Sequence, residues 1–207
     1  MAQDAPGLRE RKKRQTREAI VREALRLFAE RGFDATTVAD IAEAADIAPR
    51  TFFGYFPSKE AVVFHDFEEY FGSLATRLAA RPASQTAFDT LRAWIAALLD
   101  EGRLDDPEER MRHELVHTTP ALQAQDRANL ARFEALLADA VADDLDVPRG
   151  SLRAHLVAAA AAAALDALGR HDGAREQRSP DESLALMDEA LVFLQGGMDA
   201  LRRHPPA

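Results

Sequence analysis

Thr36 to Lys59, TTVADIAEAADIAPRTFFGYFPSK, decides the reading of this chain. It describes two short helices joined by a tight turn, with a third helix starting directly behind them. Thr37 is placed to cap the first helix and Asp40 to complete a capping box, while Val38, Ile41, Ala42 and Ala45 recur at helical spacing on one apolar stripe. Asp46 falls where the chain must turn sharply, and Asp tolerates the left-handed region better than most residues other than Gly. Pro49 suits the first position of the next helix, where no backbone donor is needed. That helix is expected from Pro49 to about Phe56, with Phe52 and Phe56 facing inward.

Arg50, Thr51, Phe53, Gly54 and Tyr55 are then left facing outward or sideways, a set that no core helix requires. A helix end entering a major groove does require it. Arg50 can meet a phosphate or a guanine edge, Thr51 a phosphate and Phe53 a thymine methyl, while Gly54 permits close backbone approach. Ser58 is expected to cap the third helix, and Lys59 stands at its positive end, suited to a phosphate.

Arg17 to Phe71, and above all ATTVADIAEAADIAPRTFFGYFPSKEAVV within it, resembles the DNA-binding domain of the TetR family of one-component transcriptional repressors. The resemblance implies an all-α homodimer. Its N-terminal three-helix helix-turn-helix domains would bind a palindromic double-stranded DNA operator, and its C-terminal helical domains would bind a small effector and dimerise. The DNA-contacting set it implies is Arg17, Thr36, Thr37, Pro49, Arg50, Thr51, Phe53, Gly54, Tyr55 and Lys59. This chain departs from the family pattern at three positions: Ala48 stands where Ser is frequent, Asp46 where Gly is, and Phe53 where Tyr is. Ala48 forgoes a side-chain cap of about 1 kcal/mol. Phe53 can offer only apolar contact, which makes Tyr55 the better phosphate donor.

The net charge of −9 over 207 residues is unevenly divided. Among the first seventeen residues, six cations (Arg9, Arg11, Lys12, Lys13, Arg14, Arg17) face only Asp4 and Glu10, a local balance of +4. Residues 1–16 therefore read as a flexible basic arm, 17–62 as the helix-turn-helix domain and 63–207 as the ligand-binding and dimerisation domain. Helix 1 is expected to turn Ile20, Val21, Ala24, Leu25, Leu27 and Phe28 inward and to stop at Gly32. With no Cys in the chain, no disulfide or thiolate zinc site can form. The polar start and the lack of a ~20-residue apolar run point to the cytoplasm and away from membranes.

Beyond Pro57 the pattern is helical throughout, with spans expected at Ser58–Ala80, Thr86–Glu101, Pro107–His117, Pro120–Asp144, Arg149–Arg170 and Asp181–Arg203. In the family's context the last two helices form the subunit contact. The small residues of Ala158–Ala164, Ala161 among them, are read as the surface that lets a partner helix approach. A cavity is expected between the C-terminal helices, lined by Phe88, Leu91, Trp94, Leu98, Leu130 and Phe133. His113, His117 and Arg132 would supply polar contacts. Its occupant is expected to be lipophilic, an acyl thioester included.

His113-Glu114-Leu115-Val116-His117 spells H-E-x-x-H, which on a helix could hold zinc with Glu114 as base. A zinc-dependent hydrolase is therefore the alternative. Against it, Thr118-Thr119-Pro120 ends the helix at once, no downstream H-x-x-G-x-x-H continuation follows, and Glu134 is a poor substitute. The expectation is a DNA-binding regulator with no catalytic residue, cofactor or metal.

Overall fold

The computed structural model describes residues 7–103, 107–174 and 180–203. The first six residues of the expected basic arm and residues 175–179 of the loop before the last helix lie outside them. The described residues form ten helices and no strand: α1 (Leu8–Arg31), α2 (Val38–Ala44), α3 (Pro49–Phe52), α4 (Glu60–Val63), α5 (Phe67–Ala79), α6 (Ala87–Asp100), α7 (Pro107–Thr118), α8 (Pro120–Leu145), α9 (Leu152–Ala174) and α10 (Pro180–Arg203). None of them is long and apolar enough to cross a membrane.

Helix α1 buries Ile20, Val21, Ala24, Leu25, Leu27 and Phe28 on one stripe and ends at Gly32, whose φ of 84° only glycine adopts without strain. It begins at Leu8, so residues 8–16 are its exposed first turns rather than a flexible arm. In α2 the capping box forms as its residues dictate: Thr37 N donates to Asp40 Oδ2 at 2.8 Å, and Asp40 N donates to Thr37 Oγ1 at 3.2 Å. The Thr37 hydroxyl, at 2.5 Å, and the Thr37 N–H both donate to Oδ2 and hold the Asp40 carboxyl below its ordinary pKa. Asp46 adopts φ 53°, and Ile47 N reaches back to Ala42 O at 2.9 Å, which closes the turn into α3. Helix α3 starts at Pro49 behind an Ala48 that makes no side-chain cap. It is one turn long, and the segment to Phe56 continues as turns, with Phe52 and Phe56 buried.

The expected Ser58–Ala80 helix is interrupted. Helix α4 is a single turn, the chain turns through Phe64, His65 and Asp66, and α5 begins at Phe67. The break is held from outside: Arg17 Nη2 of α1 donates to His65 O at 2.8 Å, and Arg112 Nη1 of α7 donates to Asp66 Oδ1 at 2.7 Å.

Two hydrophobic cores result. One gathers α5, α6, α8, α9 and α10 around Leu74, Phe88, Leu91, Leu137 and Val141. The other gathers α1–α4 around Ile20, Phe28, Ile41, Phe52 and Val62, and it also takes in Val63, Val116 of α7 and Leu122 of α8. The N-terminal core therefore continues past the expected 62/63 boundary into helices of the second domain. Ala154, Ala158 and Ala161 are 1% exposed or less and pack in the C-terminal core, where α9 lies along α8. The buried part of the run, Ala158, Ala161 and Ala162, thus serves close approach inside the subunit, so Ala161 is not a surface contact, while Ala160 and Ala163 face solvent.

Leu122 is fully buried in a core whose other members precede residue 64 or belong to α7. Leu122→Ala is expected to lower stability by about 2–5 kcal/mol and, despite its distance in sequence, to weaken DNA binding by loosening α1 and α4. Denaturant unfolding followed at the N-terminal helices checks this.

Candidate DNA-reading face and effector site

The segment from Ala48 to Pro57 presents Pro49, Arg50, Thr51, Phe53 and Gly54 to solvent, and Tyr55 is half-buried against the N-terminal core. Phe53 is 58% exposed, its ring set edge-on to buried Phe52 at 5.6 Å and 86°. Such a large exposed aromatic is held in one orientation by the core behind it. Gly54 answers an internal need: its N–H closes onto Thr51 O at 3.0 Å, and a Cβ there would come within 3.2 Å of that same oxygen. The basic residues Arg9, Arg11, Lys12, Lys13 and Arg14 stand exposed on the first turns of α1.

Other members of the expected set are committed to the scaffold. Lys59 Nζ donates to Phe33 O at 2.6 Å and Thr36 O at 2.9 Å and lies 4.3 Å from the Phe33 ring centre, so it ties the α1–α2 loop to the start of α4. Thr36 is fully buried and its Oγ1 donates to Gly32 O at 2.9 Å. Thr37 is the α2 cap. Arg17 holds His65 O and covers the Phe56 ring at 4.9 Å. Ser58 Oγ accepts from Ala61 N at 3.3 Å, although the N-cap position of α4 falls one residue later, on Lys59, and carries no side-chain cap.

The expected effector residues are divided between the C-terminal core and partly exposed positions. Phe88 and Leu91 are fully buried in the C-terminal core and Leu98 is 6% exposed, while Trp94, Leu130 and Phe133 are half-buried. Trp94 packs edge-on to Tyr70 at 6.4 Å, and its Nε1 is buried with no hydrogen-bond partner among the described residues. Arg132 lies on the outer face: it stacks over Phe67 and Phe71 and donates two bonds to Glu68, at 2.6 and 3.1 Å. His113 and His117 share a face of α7 with ring centres 6.3 Å apart. His113 Nε2 meets Glu109 Oε1 at 3.3 Å. His113 is solvent-exposed on α7, yet the protein crowded around its ring and the Arg112 guanidinium push its pKa below the usual histidine value. Asp126 of α8 is pushed up by burial and by Asp166 of α9. Among the described residues no group of three or more His, Asp or Glu is disposed to hold a metal ion, and Glu114 faces solvent. The pair lacks the third ligand that a hydrolytic zinc site needs.

Two clefts lie where the cores meet, and neither is lined by any of the eight expected effector residues. One, of about 400 Å³, runs between α1, α5 and α7 past His65, Asp66, Tyr70, Arg103 and Arg112. Arg112, 8% exposed, bonds to Asp66 and Glu109 and donates to His65 Nδ1 at 3.3 Å. Burial, and the two guanidiniums beside it, keep the His65 pKa low despite Asp66. The other, of about 460 Å³, lies between the chain after α3 and α8. Arg112 was legible only as an Arg four residues before Val116, with Glu108 and Glu109 one turn ahead of it.

Because Lys59 spends two of its three donors on carbonyls, Lys59→Ala is expected to cost about 1.5–3 kcal/mol of stability. An urea-unfolding midpoint unchanged from wild type would contradict that tie.

Residues 20–65 match the family model described as bacterial regulatory proteins of the tetR family, and residues 85–199 match the MftR C-terminal domain. The chain is 36% identical over 147 residues to the HTH-type transcriptional regulator TcmR of Streptomyces glaucescens, covering 67% of this chain and 64% of that protein. It is 36% identical over 119 residues to MftR of Mycobacterium tuberculosis, described as a mycofactocin biosynthesis transcriptional regulator, covering 58% of this chain and 60% of that one. The chain thus spans less than two thirds of either relative's length. Among solved structures, Thermus thermophilus FadR, a TetR-family repressor in complex with lauroyl-CoA, superposes with a TM-score of 0.58 at 25% identity, covering 92% of this chain and 98% of that one. With both its helix-turn-helix segment and most of its helical C-terminal part matched, the chain belongs to the TetR family of bacterial regulatory proteins.

Proposed function

We propose that the protein is a homodimeric repressor, acting in the cytoplasm, whose two reading faces hold a palindromic operator and release it when a small, largely apolar ligand enters the C-terminal domain. The observation that carries this reading is the exposure of Arg50, Thr51 and Phe53 together on a scaffold whose neighbouring polar groups, Lys59, Thr36 and Arg17, are spent internally. Side chains left outward on so fixed a support suit base-edge and phosphate contact, with Tyr55 and the basic turns of α1 alongside.

Support for dimerisation comes from an apolar face that the subunit leaves uncovered: Leu152 and Leu156 on α9, and Val192 and Phe193 on α10, are 71%, 60%, 66% and 81% exposed. One turn beyond Phe193, Gly196 and Gly197 have open space where a Cβ would stand. A two-fold copy of this face makes a self-complementary four-helix contact. Two reading faces then meet successive major grooves about 34–36 Å apart.

Support for an effector near Trp94 comes from its indole N–H, a buried donor without an acceptor. Such groups are rare and point to a missing partner. Thermus FadR, described with lauroyl-CoA, is in keeping with an apolar ligand. To release the operator a hundredfold, the ligand must prefer the non-binding arrangement by about 2.7 kcal/mol.

Phe193→Asp is expected to give monomers by light scattering, with the helical CD spectrum retained, and to lower affinity for an operator selected from random duplexes by ~100-fold or more. A variant that stays dimeric places the subunit contact elsewhere. Trp94→Phe keeps an aromatic ring and removes the N–H, and should raise the ligand concentration that releases DNA by about tenfold. Release at the wild-type concentration moves the effector away from Trp94.

A further inference from the structure

The second junction cleft, about 460 Å³, is of the size that small-molecule sites occupy, roughly 300–1,000 Å³. Phe56, Phe64 and Phe67 contribute aromatic surface to it from the reading domain and the start of α5, and Asn129 closes it from α8. Asn129 is 5% exposed. Gln125 Nε2 donates to its Oδ1 at 3.0 Å, while no described residue accepts a hydrogen bond from its Nδ2. On this same face Leu122 is packed into apolar surroundings. Asn129 Nδ2 is not among the sealed, partnerless donors, so its two N–H groups are open to an acceptor entering at the edge of the cleft, where an aliphatic side chain would offer none.

The charges around the cleft restrict what fits. Glu60 and Glu68 line it, Glu68 already holds Arg132, and the guanidinium of Arg17 is committed to His65 O and the Phe56 ring. An anionic group would face two carboxylates without a free cation among these lining residues. A neutral oxygen acceptor meets no such opposition.

We propose that this cleft is a small-molecule site separate from the surroundings of Trp94, taking a flat, neutral aromatic molecule with a carbonyl oxygen that accepts from Asn129 Nδ2. Its rings lie against the phenylalanines. The occupant touches the chain after the reading helix and α8 at once, so it bridges the two cores.

The test titrates the full chain with 2-acetylnaphthalene and with 2-isopropylnaphthalene, which is similar in shape but carries no oxygen, by calorimetry and by amide NMR. The ketone is expected to bind about tenfold tighter than the hydrocarbon and to move the side-chain NH₂ resonances of Asn129 while the Trp94 indole N–H stays in place. Asn129→Leu should reduce the ketone to the hydrocarbon's affinity. Ala61→Leu, which adds bulk to the α4 wall of the cleft, should weaken both ligands and serves if Asn129→Leu fails to fold. Equal affinities of ketone and hydrocarbon, a shift of the Trp94 resonance without one at Asn129, or ketone binding unchanged in both variants would overturn the proposal. Each of these results leaves the effector reading at Trp94 standing on its own test.

Discussion

Arg17 and Arg112 reach the turn at residues 64–66 from opposite sides, and the relation between the two halves of the molecule depends on that grip. Arg17, on α1, takes the His65 carbonyl, and Arg112, on α7, takes the Asp66 carboxylate while bonded to Glu109 and to His65 Nδ1. A guanidinium as buried as Arg112 is tolerable only because two carboxylates compensate it, and removing either would leave an uncompensated charge. His65, held with its Nδ1 as an acceptor and its pKa lowered, adds no third positive charge to the cluster.

Since Val116 and Leu122 enter the N-terminal core from α7 and α8, this polar grip and the apolar packing act together. A shift of α7 or α8 moves surface that the reading domain rests on. Tyr70, which borders the cleft beside this cluster, also touches Trp94. Tyr70 N also donates to Asp66 O at 3.0 Å, so the proposed effector position is joined through Tyr70 to the turn that supports α4. The physical warrant of this link is contiguity, and a ligand uses it only by preferring one arrangement of these contacts over another.

The local devices were legible because their causes are local. The Thr37–Asp40 box, the left-handed Asp46, Pro49 at a helix start and Ala48 without a cap each follow from residues within a few positions. The helices beyond Thr86 also fell near their expected spans, since Pro, Gly and capping residues mark their ends. The interruption at residues 64–66 was not legible, because its partners lie 48 and 46 residues away. The bonds of Lys59 and Arg17 were hidden for a related reason: a cation beside a reading helix looks the same in sequence whether it meets a phosphate or, as here, a backbone carbonyl. The alanine run likewise reads as a close-approach surface in either setting, and only the fold shows that Ala158 and Ala161 belong to the C-terminal core while Ala160 and Ala163 face outward. Phe88 and Leu91 carry the periodicity of both core and cavity wall, and they are core.

Native-state hydrogen exchange tests the shared core most directly. If α7 and the first turns of α8 belong to the reading domain's core, the protected amides of α1, α4, α7 and early α8 open together, with one free energy and one dependence on denaturant. Exchange of α1 and α4 through a separate, cheaper opening that leaves α7 and α8 protected would show two independent units, and would contradict this account of how the halves are joined.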